Sequence, residues 1–293
     1  MRRAYMPRPV AMDKACGIGQ GRCEHKSRNG QAMTQSDPNA KQGPEPVPNW
    51  SQDTVLNGKV ILRQPSQGYR AGLDAALLAA ACDSGPQARV IEAGCGVGGA
   101  LLAAAVRRPQ SLFVGIERDP AAAALGQANI VLNGLQDRVQ ILEAALPTNL
   151  KALGQAPFDA ALCNPPFFDD ASRLRAPDAS RLGAYMADDG LGAWITFLLK
   201  SLKEGGTLTL IHRADRLGDI LGLMLPKAGS VRIRPIQPFS DTPAKRVLVR
   251  AIKTGKAPLV LLPALVLHDR SGGGHTAQTE AILRGEADLG WGA

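Results

Sequence analysis

Apolar positions begin to organise at about Thr54, and from there short hydrophobic runs alternate with longer stretches of helical character. Val60-Ile61-Leu62 reads as a short strand and Leu73–Ala81 as a helix. Arg89–Glu92 is the next strand, followed by a glycine loop and a helix through Gly99–Val106. Leu112–Ile116 predicts another strand, leading into the Ala-rich helix Pro120–Leu132. Val139–Leu142 and Asp159–Cys163 continue the strand series, Trp194–Leu202 predicts a helix ending at Gly205-Gly206, and Thr207–Ile211 a strand. Strands separated by helices imply a parallel sheet covered on both faces. Towards the end, Val231–Pro235 and Arg246–Ile252 look like a strand pair and Leu259–Leu267 like one more apolar strand. The expectation is an α/β domain over residues 49–256 with a mostly parallel, seven-stranded sheet and a C-terminal antiparallel hairpin. Residues 257–293 then form a strand and tail on the same domain.

Residues 1–48 show no such pattern. They are polar, rich in Gly, Pro, Gln and Lys/Arg, and are expected to be a disordered extension. They lack the apolar core of a secretory signal. Met1–Gly21 weakly resembles a mitochondrial presequence without the amphipathic stripe, and a start at Met33 accounts for it equally well. Cys16, Cys23 and His25 are not at zinc-ligand spacing, so no metal is expected.

Composition narrows the class. A chain of 293 residues, 45% hydrophobic, can bury one large core, and no run of about eighteen apolar residues predicts a membrane span. The 5 cysteines are scattered and odd in number, which suits reduced thiols in the cytoplasm. A net charge of +8 favours an anionic partner, nucleic acid first, although solubility alone is a plainer account of it.

Glu92-Ala93-Gly94-Cys95-Gly96-Val97-Gly98 follows a strand and opens a helix. Glycines at alternate positions let the backbone turn sharply and approach a ligand where a Cβ would collide. The acid-x-Gly-x-Gly-x-Gly spacing differs from the Gly-x-Gly-x-x-Gly of dinucleotide folds. Glu92 at its entry suits a cofactor carrying an ammonium and a sulfonium and no pyrophosphate, which points to S-adenosylmethionine. Glu117 ends the next strand, where a carboxylate can accept hydrogen bonds from both ribose hydroxyls. A solvated strand-end charge is the alternative.

Asn164-Pro165-Pro166-Phe167 lies directly after Asp159–Cys163, at the carboxyl end of a strand, where such sheets bind ligands. An amino group on a base or an amide is a poor nucleophile because its lone pair is delocalised. The Asn164 side-chain oxygen and the Pro165 carbonyl can each accept one of its N–H bonds, which aims the nitrogen at a sulfonium methyl. Catalysis of this kind is positioning with fixed dipoles and needs no strong base. Phe167 offers a face on which a planar base stacks, and the prolines keep the loop extended. Cys163 invites a nucleophile reading, but the Pro-Cys order of pyrimidine-carbon methylation is absent, and a small buried strand-end residue fits better.

From about Thr54 to Lys256 the chain resembles the class I S-adenosylmethionine-dependent methyltransferases, which implies a Rossmann-like sheet. In that family an acid usually follows the third strand and reads the cofactor's adenine. Here Glu143-Ala144-Ala145 occupies the region with Ala145 at the usual Asp position, so an amide near Ala144, or Glu143 itself, is the expected substitute. The tetrapeptide is shared by enzymes acting on adenine N6, guanine N2 and protein glutamine. The stretch from Gln64 through Gly68-Tyr69-Arg70-Ala71-Gly72-Leu73-Asp74 to Leu78, with Asn164-Pro165-Pro166-Phe167-Phe168, resembles the bacterial tRNA (adenine-N6)-methyltransferases that modify the adenine beside the anticodon of a valine tRNA. That resemblance implies that Tyr69, Arg70 and Asp74 line the methionine end of the cofactor, with Arg70 suited to a carboxylate, and that Asn164 borders cofactor and substrate alike. A turn with a helix cap at Asp74 is the alternative.

Two further stretches bear on substrate. Asp169–Asp189 carries Arg173, Arg175 and Arg181 and is long enough for a lid, or for a solvated loop. Lys227, Arg232, Arg234, Lys245, Arg246, Arg250, Lys253 and Lys256 form a basic run expected to contact RNA phosphates. His212 follows a strand and reads as structural; His268 and His275 flank Gly272-Gly273-Gly274 with no evident role. The leading expectation is methylation of adenine N6 in tRNA. Glutamine methylation of a release factor and a non-catalytic cofactor-binding RNA chaperone are its competitors. Oligomeric state has no signature in the sequence.

Overall fold

Buried runs, not alternating ones, mark the central strands: Val90 to Ala93 and Phe113 to Ile116 are buried throughout, as strands covered by helices on each side must be. The computed structural model describes residues 49–66, 70–166 and 190–292, within the unit Pro48–Ala293. The expected extension, residues 1–48, lies outside the described residues. Strands β3 (Arg89–Ala93), β4 (Leu112–Glu117), β5 (Val139–Glu143), β6 (Phe158–Cys163), β7 (Leu202–Arg213), β8 (Ala228–Gln237) and β9 (Arg246–Lys253) form the main sheet. Two short strands, β10 (Val260–Leu261) and β11 (Leu265–Val266), extend it along β8 and bring it to nine. From edge to edge the order is β10-β8-β9-β7-β6-β3-β4-β5, with β11 also on β8. Strands β3 to β7 run parallel, and β9 is antiparallel to both β7 and β8, which gives the expected C-terminal hairpin.

Helices α1 (Leu73–Ala80), α2 (Gly99–Arg107) and α3 (Pro120–Leu132) cover one side, and α4 (Leu191–Ser201) and α5 (Leu217–Met224) the other, over separate apolar clusters. Helix α3 starts where the sequence says it should. Asp119 accepts from the Ala121 amide at 2.9 Å, and Pro120 follows at the first helical position.

Val60-Ile61-Leu62 is not part of the main sheet. It belongs to β2 (Val60–Pro65), which pairs only with β1 (Trp50–Val55) in a separate hairpin. The free edge of β2 would leave backbone groups unmatched, and α3 supplies the partners. Asn133 accepts from the Ile61 amide at 2.8 Å and donates to the Ile61 carbonyl at 2.7 Å. One turn earlier, Asn129 does the same for Arg63, at 2.9 Å each way, and also donates to the Val97 carbonyl at 3.0 Å. Two amides spaced i, i+4 on a helix thus stand in for a third strand, because one helical turn and two strand residues span similar distances.

The tail closes the fold. Leu259–Leu267 divides into β10 and β11 because Val260 pairs at Arg232 and Leu265 at Ile236. Helix α6 (Ala277–Leu283) follows, capped by Thr276, and the Trp291 indole donates to the Ala81 carbonyl at 2.9 Å. Arg232 donates to the Trp291 carbonyl at 2.6 Å, and Arg234 to the carbonyls of Gly290 and Pro263. Arg107 meets Ala287, Asp288 and Ile282 from α2. Five of the eight cations in the basic run therefore have partners within the fold. Arg232 and Arg234 hold the tail, Arg246 pairs with Asp74, Arg250 with Asp83, and Lys253 with Glu204. A sequence shows the cations but not the carbonyls and carboxylates that fold onto them.

Candidate active site

Strand β3 lies between β4 and β6, with Ala93 level with Ile116 on one side and Cys163 on the other. The chain therefore leaves the sheet at Gly94 and at Asn164 side by side, about 4.8 Å apart across the strands. Glu117 ends β4 on the far side of the glycine loop. Glycine loop, strand-end acid and Asn164-Pro165-Pro166 thus share the carboxyl edge of neighbouring strands.

The loop needs its glycines. Gly94, Gly96 and Gly98 have φ of +62°, +55° and +91°, the left-handed region that a side chain disfavours. A Cβ on Gly94 would lie 2.1 Å from the Trp194 ring, so Trp194 on α4 packs directly against the backbone here. At Gly96 a Cβ would meet nothing within 4 Å; space for a ligand opens at this point. The Gly96 amide donates to Glu117 Oε2 at 2.8 Å, while the Arg118 and Asp119 amides donate to Oε1 at 2.8 and 2.9 Å. These amides fix the carboxylate: Oε1 is filled by two of them, while Oε2, with one, keeps a lone pair for a further donor.

Glu92 is 3% exposed, and its Oε2 has no hydrogen-bond partner. Burial, with the nearby Glu117 charge, pushes its carboxyl up to about 8. A buried oxygen left unmatched at the mouth of a glycine loop fits a donor brought by a ligand. The cradle therefore fits S-adenosylmethionine, whose ammonium and ribose hydroxyls are donors. The Cys163 thiol, fully buried, is pushed far up by that burial and then by Glu92, which leaves it no reactive thiolate.

Asn164 is half-buried, Pro165 buried and Pro166 exposed. Phe167 and the loop Asp169–Asp189, like Tyr69, lie outside the described residues. Asp74, in the first turn of α1, meets Arg246 Nε at 3.1 Å. Arg70 is 38% exposed and turned to the hairpin, where it pairs with Asp53 and donates to Ser51 Oγ at 2.7 Å. Gln64 accepts from the Ala71 amide at 2.7 Å and donates to Asp53 at 2.8 Å, so the hairpin buttresses the segment that enters α1. The Ala144 amide is not available to read an adenine. It donates to the Glu117 carbonyl at 2.8 Å within the β4–β5 ladder. Glu143 is exposed and level with Glu117. His212 is 4% exposed, and burial lowers its pKa, which keeps it neutral.

Three contributors escaped the sequence reading: Trp194 against Gly94, Asn129 on the Val97 carbonyl, and Arg246 on Asp74. The pair Asn129 and Asn133 at helical spacing was a legible signal. The other two depend on tertiary contact. Among the described residues no group of three or more His, Cys, Asp or Glu could hold a metal, and no helix is long and apolar enough to cross a membrane.

Residues 70–177 match the family model of the methyltransferase small domain. A tRNA1(Val) (adenine(37)-N6)-methyltransferase of Porphyromonas gingivalis is 33% identical over 193 residues, covering 63% of this chain and 75% of the relative. A release factor glutamine methyltransferase of Gloeobacter violaceus is 30% identical over 141 residues, covering 44% of this chain and 47% of the relative. Among solved structures, one described as a predicted O-methyltransferase from Agrobacterium tumefaciens superposes with a TM-score of 0.61 at 24% identity, over 74% of this chain and 98% of that one. This last likeness speaks for the fold.

Proposed function

The chain belongs to the family of class I S-adenosylmethionine-dependent methyltransferases that includes the tRNA1(Val) adenine-N6 enzymes, and from that premise we propose that it methylates the exocyclic N6 of an adenine in tRNA. The observation that carries the reading is the emergence of Gly94 and Asn164 from adjacent strands, beside a buried carboxylate with an unmatched oxygen.

In this reading Glu92 and the loop through Gly94, Gly96 and Gly98 hold the amino-acid end of S-adenosylmethionine, and Glu117 accepts from its ribose. The bound cofactor supplies an electrophilic methyl on a positively charged sulfur. Asn164 Oδ1 and the Pro165 carbonyl accept the two N–H bonds of the adenine amino group and turn its lone pair towards that methyl. The N6 proton becomes acidic only as the new bond forms and leaves to water, so no basic side chain is required. Phe167 stacks the base, Tyr69 and Arg70 border the methionine end, and Asp74 acts from the start of α1. Glu143 is the side chain left to meet the cofactor's adenine. Free, buried Cys82, Cys95 and Cys163 agree with a cytoplasmic setting, where tRNA is found.

Labelled cofactor offered to total tRNA and to a release factor, followed by nucleoside and peptide analysis, tests the substrate. Label in N6-methyladenosine supports the proposal, and label only in protein glutamine overturns it. Asn164→Ala should lower kcat by about 10²-fold or more, as loss of a preorganised dipole does, with cofactor affinity near wild type. Retained turnover removes Asn164 from the mechanism.

A further inference from the structure

Far from the glycine loop, four side chains form a continuous stack. The imidazoles of His268 and His275 lie face to face, 4.9 Å between centroids and 20° from parallel. Phe239 tilts against His268 at 5.6 Å, and the Arg270 guanidinium lies 4.4 Å from the Phe239 centroid. The backbone holds them in place, since His268 and His275 face each other in an antiparallel bridge and the His268 amide donates to the Pro238 carbonyl at 2.9 Å. Arg270 is neutralised by Asp241 at 3.0 Å, so the group presents ring faces more than charge. The outer imidazole, His275, is exposed and carries no further ring among the described residues.

Its location gives the stack a meaning. Arg213, Arg246 and Ile236 are level across β7, β9 and β8, so Phe239 and the 267–276 turn stand on the same carboxyl edge as Asn164. Three strand spacings, about 14 Å, separate the end of β6 from the end of β8 along that edge. Between them sits Lys245, exposed, its side chain engaged by no described residue. An acceptor for an adenine, a free cation and an exposed ring stack follow one another in a line. A single strand offers the same order: a base, a phosphate, another base.

We propose that the His275–His268–Phe239 stack is a nucleobase platform for the RNA substrate. It takes a base a few nucleotides from the methylated adenine, while Lys245 meets the phosphate between them. The proposal rests on the tRNA reading above and extends it to a second contact. Stacking on an exposed ring tolerates any base, so the platform sets register and affinity more than sequence.

The test compares His275→Ala, His275→Phe and Lys245→Ala with wild type on a tRNA transcript, measuring tRNA KM, kcat, cofactor affinity and thermal midpoint. His275→Ala should raise tRNA KM about tenfold, the effect of losing one base stack, with kcat and cofactor affinity within about twofold. His275→Phe should restore KM, because it keeps a ring and discards the 3.5 Å contact with Glu280. Lys245→Ala should raise KM and reduce the salt slope of binding by about one. Unchanged KM in His275→Ala, or equal impairment of Ala and Phe, overturns the platform. If His275→Ala does not fold, 4-thiouridine tRNA crosslinked to wild type decides: label in the 267–276 peptide supports the platform and its absence overturns it. Wild type that transfers no methyl to RNA removes the functional reading as well, whereas active wild type with an indifferent His275 removes this inference alone.

Discussion

Asn129 and Asn133 make the same pair of bonds to β2, yet only Asn129 also reaches the glycine loop, and this difference allows a sharp test. Replacing either with Leu, close to Asn in size, avoids a cavity and leaves the backbone groups behind without partners. In Asn129→Leu the Arg63 amide and carbonyl and the Val97 carbonyl are stranded. A buried peptide group left unmatched costs about 1–3 kcal/mol, and the half-buried Arg63 groups recover part of theirs from water, so a net loss of about 2–4 kcal/mol follows. Asn133→Leu strands the Ile61 groups, a loss of about 1–3 kcal/mol, while the Asn129 carbonyl keeps the backbone amide of residue 133. Both should lower the denaturant midpoint. Only Asn129→Leu should also weaken cofactor binding, about five- to tenfold, because a loop released at Val97 must be reordered by the ligand. Titration calorimetry with S-adenosylhomocysteine, at a temperature where both variants are folded, reads the difference. Equal affinities would refute the idea that the helix amide sets the loop.

The other expectations concern charge, packing and the tail. Glu92 keeps its proton up to about 8 in the folded chain, whereas the unfolded carboxyl releases it near 4.5, so unfolding between those values releases a proton. Ligand-free stability should therefore fall as pH rises across that window, by up to about 1.4 kcal/mol per unit, and Glu92→Gln should flatten the dependence in denaturant titrations. Gly94→Ala should cost about 2–4 kcal/mol, from the left-handed φ and from the Trp194 ring; adding Trp194→Leu should recover only the part due to the ring. Arg232→Ala and Arg234→Ala should lower the thermal midpoint while the salt dependence of tRNA binding stays as in wild type, because both guanidinium groups are committed to tail carbonyls.

What was legible in the sequence was local. The glycine loop, the strand that feeds it and Asn164-Pro165-Pro166 declare themselves because a backbone conformation and a chemical need coincide within a few residues. Strand β1 escaped because Ser51, Gln52, Asp53 and Thr54 show no apolar run; its partner is the neighbouring β2. Helix α6 escaped because Ala277–Leu283 spans only seven residues beyond an apolar stretch taken as one strand. That five of the eight cations in the basic run have partners within the fold was not legible, for a physical reason. Charge is a property of the residue, but whether it is spent inside the molecule depends on segments 29 to 172 positions away.

The Trp291 indole and the Ala81 carbonyl are 210 residues apart in the chain. At a synthesis rate of about 5–20 residues per second, α1 exists for roughly ten seconds or more before its clasp is made. Late in that interval, once β8 exists, its outer edge is bare and the guanidinium groups of Arg232 and Arg234 face water until the tail arrives. Native closure is thus a late, long-range event of the kind that slows folding. A ribosome paused before Trp291 would hold a domain with its glycine loop complete and its far border still unfastened.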